Sequence, residues 1–147
     1  MKTKKILRLA LYVVAALVLS QGIPYGKNYS NPTVVREPAW DSPETRDLAK
    51  RACFDCHSHE TVWPWYARVA PMSWLVAYDV EEGRGELNFS NWQNGARKAE
   101  RPDKMRREIS GGDMPPLQYR LAHPTARLQD DEKRRLSAGL TATASRH

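Results

Sequence analysis

The longest apolar run of the chain covers residues 9–19, close to the N-terminus. Four basic residues and no acidic one precede it: Lys2, Lys4, Lys5 and Arg8. A basic stretch followed by an apolar one is typical of an export signal, which is either cleaved or kept as a membrane anchor. Because no clean A-x-A cleavage site is present, we expect residues 1–22 to stay as a single N-terminal anchor in a bacterial inner membrane. The rest of the chain would then lie in the periplasm or outside, and a cleaved signal with a soluble periplasmic protein is the alternative.

Beyond residue 40 the apolar positions recur at helical spacing, and the sequence has no alternating strand pattern of useful length. Leu48, Ala52 and Cys56 would share one face of a first helix that begins at an Asp41 N-cap. The second predicted helix ends before Gly83 and Gly85. The predicted helices cover residues 41–56, 71–80, 90–100, 102–111 and 130–140.

Proline and glycine mark the segments between these helices. Three prolines in residues 23–40 predict an extended linker, and residues 60–70 and 111–127 are predicted as loops. Residues 142–147 are predicted to be a disordered tail. The fold class is therefore all-α, with short helices and long ordered loops in one domain over residues 41–141.

The composition indicates a domain whose core is completed by something other than aliphatic side chains. Leu, Ile, Val and Phe make up 27 of the 147 residues, whereas the chain has five Trp. Since four of the basic residues belong to residues 1–22, the net charge of +6 falls to 6 − 4 = +2 for the rest. The charge is therefore no sign of nucleic-acid binding, and a bulky apolar cofactor would explain the missing aliphatic core.

Residues 53–57 form a C-x-x-C-H motif, the attachment signature of c-type haem. Near a helix end, Cys53 and Cys56 lie on one side and reach two vinyl groups of a porphyrin, and His57 then faces the iron. The sequence predicts one haem c per chain, with His57 as the proximal iron ligand. A redox-active C-x-x-C, a disulfide, and a zinc site of the two cysteines, His57 or His59, and His123 remain open as alternatives.

Met114 is the predicted distal iron ligand, because methionine is a frequent sixth ligand in electron carriers. It lies in a G-G-D-M-P-P segment that two prolines stiffen, between two predicted helices. His123 and a five-coordinate iron are the alternatives. The remaining candidates suit the role less well: Met72, Met105, His59 and His147.

The order of a C-x-x-C-H motif, a Met-Pro loop and a final helix resembles small class I c-type cytochromes. More specifically, the chain resembles the bacterial haem-binding domain family of membrane-anchored, cytochrome c-like proteins. His59 departs from the family pattern, which often has Asn there. The matching segments are C-x-D-C-H-S at residues 53–58, W-P-W-Y at 63–66, A-P-x-S-W at 70–74, D-V-x-E-G-R at 79–84 and N-F-S-x-W at 88–92. The resemblance implies a haem cofactor and a membrane-tethered domain, but no particular partner.

Several other residues are candidates for contact with the haem. Arg84 is a candidate partner for a haem propionate, with a solvated surface arginine as the alternative. The Lys and Arg run at residues 97–107 is either a solvated helix face or a surface that steers an acidic partner. Four aromatic residues are expected to pack against the porphyrin or to donate to its propionates, with plain packing as the alternative: Trp63, Trp65, Tyr66 and Trp74.

Together these features predict a monomeric, membrane-tethered mono-haem cytochrome that passes single electrons between periplasmic redox proteins. It is expected to be neither an enzyme nor a nucleic-acid-binding protein. A haem-based sensor of redox state or of a diatomic gas, with a displaceable sixth ligand, is the first alternative. A peroxidase-type enzyme, with His123 as the distal acid/base, is the second.

Overall fold

The structure, a computed structural model, describes residues 2–92 and 102–146. This part of the chain is predominantly helical, and its strand-like pairing amounts to one isolated parallel bridge between Arg36 and Asn91. The all-α prediction is therefore confirmed. The helices are α1 (Lys2–Ser20), α2 (Pro43–Ala52), α3 (Phe54–His57), α4 (Met72–Glu86), α5 (Pro102–Gly111), α6 (Leu117–Ala122) and α7 (Asp130–Ala144), with 3-10 turns at Trp65–Arg68 and Pro124–Ala126.

The chain forms two compact units, and α4 contributes residues to both. The first unit consists of Met1–Ser30 and Trp63–Asp79. Within it, the Gln21 side chain exchanges two 3.1 Å hydrogen bonds with the backbone of Ala70, and the Tyr29 hydroxyl donates to the carbonyl oxygen of Ala67. The second unit consists of Asn31–Val62 and Val80–His147 and contains most of the helices.

Helix α1 buries none of its residues. Within the two stretches that the structure describes, no helix combines the length and the apolar character that crossing a bilayer requires. The predicted location of the protein is not tested by this finding and stays a prediction.

Helix α2 begins two residues later and ends four residues earlier than the predicted range 41–56. Ser42, rather than Asp41, is its N-cap, because the Ser42 hydroxyl accepts a hydrogen bond from the Thr45 N–H at 3.2 Å. At Cys53 the backbone leaves helical geometry, with φ at −126°, and the short helix α3 follows. The predicted apolar face is confirmed for Leu48 and Ala52, which are buried, whereas Cys56 lies on α3 instead of this helix.

The prediction that the second helix ends before Gly83 and Gly85 is wrong, because α4 continues through both glycines to Glu86. A Cβ atom at Gly83 would lie 2.5 Å from the carbonyl oxygen of Cys56. The glycine therefore allows α3 and α4 to approach closely, and does not end the helix.

Helix α5 spans the predicted residues 102–111, whereas residues 111–127 are not the continuous loop that we expected. They contain α6 and the turn Pro124–Ala126. The last helix reaches Ala144, beyond its predicted end at residue 140, and its Thr143 hydroxyl accepts a hydrogen bond from the Asp41 N–H at 3.1 Å. Most of the predicted helix 90–100 and half of the basic run 97–107 lie outside the described residues.

The core of the second unit is built around aromatic rings. Phe89 is fully buried and stacks on Phe54 and on Trp92, with ring centroids 5.4 and 6.1 Å apart. Trp40 packs against Phe89 at 5.2 Å. Aliphatic side chains complete the cluster: Leu48, Ile109, Leu128, Leu136 and Leu140. Large rings thus provide volume that the few aliphatic residues cannot.

Candidate functional site

Three of the predicted site residues line one cavity of the second unit: Cys53, His57 and Met114. The cavity has a volume of about 370 Å³, within the range of small-molecule and cofactor sites. Its described lining is mostly apolar, with three charged side chains among the members. The further lining residues are Glu86, Leu87, Phe89, Lys104, Met105, Glu108, Ile109 and Leu140.

The imidazole of His57 is oriented by the last turn of helix α4 and the residue that follows the helix. Its Nδ1 lies 2.8 Å from the carbonyl oxygen of Gly83 and 3.1 Å from that of Leu87. Because a carbonyl oxygen can only accept, Nδ1 carries the proton, and the lone pair of the ring is on Nε2. Burial lowers the pKa of His57, which favours the neutral ring. A neutral imidazole with its second nitrogen fixed in this way is the usual form of a metal-ligating histidine.

The two cysteines are thiols in the structure, and each has a defined environment. Cys53 lines the cavity at the junction of α2 and α3, and its N–H donates to the carbonyl oxygen of Ala49 at 2.8 Å. Burial and the neighbouring Cys56 raise the pKa of Cys53 to about 12, so it stays protonated in the haem-free chain. Cys56 lies against Gly83, whose missing side chain leaves room for it.

Met114 lies in the turn between α5 and α6. Its N–H and that of Asp113 both donate to the carbonyl oxygen of Glu108, each at 3.0 Å, which ties the turn to the end of α5. The Met114 side chain lines the cavity and is 37% exposed. Met105, which the sequence analysis ranks below Met114 as distal ligand, lines the same cavity, so two methionines flank this space.

The histidine alternatives to Met114 have other partners. His59 uses both ring nitrogens, since Nδ1 donates to the carbonyl oxygen of Thr33 at 2.8 Å and Nε2 accepts from the Asn88 amide at 2.9 Å. The His123 ring stacks on Tyr119, with centroids 4.3 Å apart. Met72 is exposed at the start of α4, and His147 lies outside the described residues.

Arg84 fixes the segment that follows His57. Its Nε donates to the carbonyl oxygen of Ser58 at 2.7 Å, and one Nη donates to Thr61 and to Asn31 at 3.0 Å. These are backbone and side-chain partners of the protein itself, and they give Arg84 a structural role that the sequence did not predict. Its role as a propionate partner stays a prediction.

The four aromatic residues expected around the porphyrin belong to the first unit. Trp65 is 79% exposed, and its ring meets that of Tyr66 edge-on at 5.9 Å. The indole N–H groups of Trp63 and Trp74 are buried and have no acceptor among the residues that the structure describes. Their contact with a porphyrin is untested and stays a prediction, while the cavity itself is walled by Leu87, Phe89, Met105, Ile109 and Leu140.

Asp55, the second residue between the two cysteines, has a role that sequence reasoning missed. Its Oδ1 accepts a hydrogen bond from the Val62 N–H at 2.9 Å, and its Oδ2 accepts one from the Tyr119 hydroxyl at 2.6 Å. The tyrosine lies 64 residues further along the chain, so no local pattern could have indicated the pair. Within the described residues, no group of three or more His, Cys, Asp and Glu side chains is placed to hold a metal ion.

Comparison with known families gives one assignment. The haem-binding domain family matches residues 15–142. The chain belongs to this family. Comparison with curated proteins and with solved structures gave no match. Haem is therefore the cofactor that the site has to accommodate.

The residues of the cavity fit a haem. The nitrogen donor is His57, and three sulfur-containing side chains line the same mainly apolar space: Cys53, Met105 and Met114. The His57 tautomer places the lone pair on the one ring nitrogen that does not bond to α4. Histidine and methionine are axial ligands of haem iron in cytochromes c, and apolar walls suit a porphyrin.

Proposed function

We propose that this protein is a mono-haem c-type cytochrome that carries single electrons between redox partner proteins. The observation that carries the proposal is the placement of His57. Its Nδ1 is committed to the carbonyl oxygens of Gly83 and Leu87, and Cys53 and Met114 line the same cavity. A histidine fixed in this way, next to a cysteine of a C-x-x-C-H motif, supports covalent haem attachment.

The proposal gives two residues the covalent attachment of the haem and two others the binding of its iron. Cys53 and Cys56 would attach the haem through thioether bonds, each formed by adding a thiol across a vinyl group, with sulfur on one carbon and hydrogen on the other. His57 and Met114 would be the protein ligands of the iron. When bound, the haem supplies a one-electron iron couple. The apolar walls would bury part of the porphyrin, and this burial together with the iron ligands would set the potential.

The test of electron transfer is a redox titration of the haem-loaded protein followed by visible spectroscopy. We expect a reversible one-electron transition with low-spin, six-coordinate iron in both states. Carbon monoxide is added to the untreated reduced protein as the second arm of the experiment. Ready binding of carbon monoxide, or high-spin iron in either state, would contradict the carrier proposal.

A sensor is the second candidate, and the exposure of Met114 favours it. A side chain that is 37% exposed and lies in a turn can leave an iron at little cost in buried surface. In that case Met114 is displaced by a diatomic gas, and the gas titration saturates at low concentration. A carrier and a sensor are thus separated by the same carbon monoxide experiment.

The location of the protein is part of the proposal. We propose that residues 1–22 direct export and remain as the tether, because four basic residues precede an apolar run and α1 buries none of its residues. Fractionation of cells and the intact mass of the purified chain test this. A mass that includes residues 1–22, in the membrane fraction, supports the tether. A shorter chain in the soluble periplasmic fraction would contradict it.

A further inference from the structure

Tyr119 and Asp55 join the two parts of the chain that carry the proposed axial ligands. The Tyr119 hydroxyl donates to Oδ2 of Asp55 at 2.6 Å. Asp55 lies between the two cysteines and two residues before His57, while Tyr119 lies five residues after Met114. A hydrogen bond to a carboxylate is about twice as strong as one between neutral groups.

The Asp55 end of this contact is rigid. The second carboxylate oxygen accepts the Val62 N–H at 2.9 Å, and the carbonyl oxygen of Asp55 accepts the Thr61 hydroxyl at 2.7 Å. Asp55 therefore cannot follow a movement of Tyr119 without losing bonds of its own. The carboxylate is a fixed point on the haem-attachment motif.

The Tyr119 end is connected to Met114 by a short, stiff segment. Pro115 and Pro116 separate Met114 from α6, and a proline has a nearly fixed φ angle. On its other side, Met114 is tied to α5 through the carbonyl oxygen of Glu108. The Tyr119 ring is itself held by stacking on His123. A displacement of Tyr119 is therefore passed on to Met114.

We infer that the Tyr119–Asp55 hydrogen bond is a positioning contact that holds Met114 opposite His57. It acts through the protein, because neither side chain is a ligand in the proposed site. This inference rests on the proposed function, in which Met114 ligates the iron. Loss of the hydroxyl leaves both cysteines and His57 in place but loosens the distal ligand.

The test uses the haem-loaded full chain and the Tyr119→Phe variant, which keeps the ring and its stacking. The readout is the weak long-wavelength charge-transfer band that marks methionine bound to ferric haem. We expect the band to be lost at lower temperature than in the unchanged protein, and methionine-dissociated iron to increase about tenfold. Tyr78→Phe is the matched control, because Tyr78 is an exposed tyrosine on α4.

A double-mutant cycle with Asp55→Asn separates this contact from general destabilisation. If the two residues act through their hydrogen bond, Tyr119→Phe has a smaller effect on the band in the Asp55→Asn background than in the unchanged protein. Additive effects would overturn the inference. So would a Tyr119→Phe protein that behaves like Tyr78→Phe, or one that takes up no haem.

The outcomes also distinguish the inference from the proposed function. If the unchanged protein lacks the methionine band, the assignment of Met114 is wrong and the positioning role fails with it. If the unchanged protein has the band and Met114→Ala removes it, the ligand assignment holds. The effect of Tyr119→Phe then decides the positioning role alone.

Discussion

The Nδ1 atom of His57 lies 2.8 Å from the carbonyl oxygen of Gly83. The carbonyl oxygen of Leu87, the residue directly after α4, lies 3.1 Å from the same nitrogen. Gly83 is also the residue that admits the backbone of Cys56 against α4. One glycine therefore serves two purposes, since it orients the histidine and allows the attachment motif to pack.

Gly83→Ala tests this double role. The new Cβ would lie 2.5 Å from the Cys56 carbonyl oxygen, so α3 and α4 have to separate. We expect a loss of about 1–3 kcal/mol in the free energy of unfolding, as for other overpacked sites. We also expect altered coordination by His57 in the visible spectrum. Unfolding of the haem-loaded protein by urea measures the first effect.

Gly85→Ala is the matched control on the same helix. A Cβ at Gly85 meets no atom within 4 Å, and alanine is the better helix former. We expect a gain of about 0.5–1 kcal/mol and an unchanged spectrum. Equal destabilisation by both substitutions would show that the contact with Cys56 is not the cause.

Met114→Ala tests the distal ligand. We expect loss of the methionine band, a larger high-spin fraction, binding of carbon monoxide and a lower reduction potential, because methionine ligation raises the potential. Spectra of the oxidised and reduced protein measure these changes. An unchanged spectrum would refute the assignment of Met114.

Met105→Leu is the companion variant, because Met105 lines the same cavity. Leucine keeps the volume but has no sulfur, so we expect a cost below about 1.5 kcal/mol and a retained methionine band. If the band disappears in this variant and persists in Met114→Ala, then Met105 is the ligand.

Ser42→Ala tests the N-terminus of α2, which carries the attachment motif at its other end. The hydroxyl caps the Thr45 N–H, and its loss is expected to cost about 1 kcal/mol. Ser110→Ala is the control, since the Ser110 hydroxyl is exposed and bonds to the Arg106 carbonyl oxygen within its own helix. Thermal unfolding of the two variants compares them, and equal transition temperatures would contradict the capping role.

The free energy of unfolding is expected to depend on pH through the Glu37 carboxylate. Two hydrogen bonds from Arg46, at 2.7 and 2.8 Å, lower the pKa of Glu37 below its ordinary value of 4.5, and Trp40 adds a third. Because the pKa is lower in the folded state, the stabilisation is complete above about pH 4.5 and is lost as the pH falls through the folded value. We expect the stability difference between the unchanged protein and Glu37→Gln to shrink below pH 4.5. Urea unfolding at several pH values measures it, and a difference that grows on acidification would contradict the prediction.

The sequence predicts those parts of the fold that depend on local patterns. Helix α5 follows from Pro102 at its start and Gly111 at its end, and the buried face of α2 follows from the spacing of Leu48 and Ala52. Helix α6 was missed because prolines before and after it are typical of a loop. Gly83 was misread as a helix stop because only the tertiary contact with Cys56 reveals its purpose.

In the candidate site, too, local patterns were predictable from the sequence and tertiary contacts were not. The C-x-x-C-H spacing is a local signal, and it identified Cys53 and His57, which the structure places on one cavity with Met114. The partners that orient them were not predictable, because the Gly83 carbonyl is 26 residues from His57 and Tyr119 is 64 residues from Asp55. Contacts at such separations depend on how the helices pack, which no single-sequence pattern records.

The intact mass of the denatured, haem-loaded chain tests the central claim most directly. If Cys53 and Cys56 attach the haem, the unfolded chain has the mass of the polypeptide plus one haem, and the Cys53→Ala/Cys56→Ala protein has the mass of the polypeptide alone. A haem that separates from the unchanged chain on denaturation would contradict covalent attachment through the C-x-x-C-H motif.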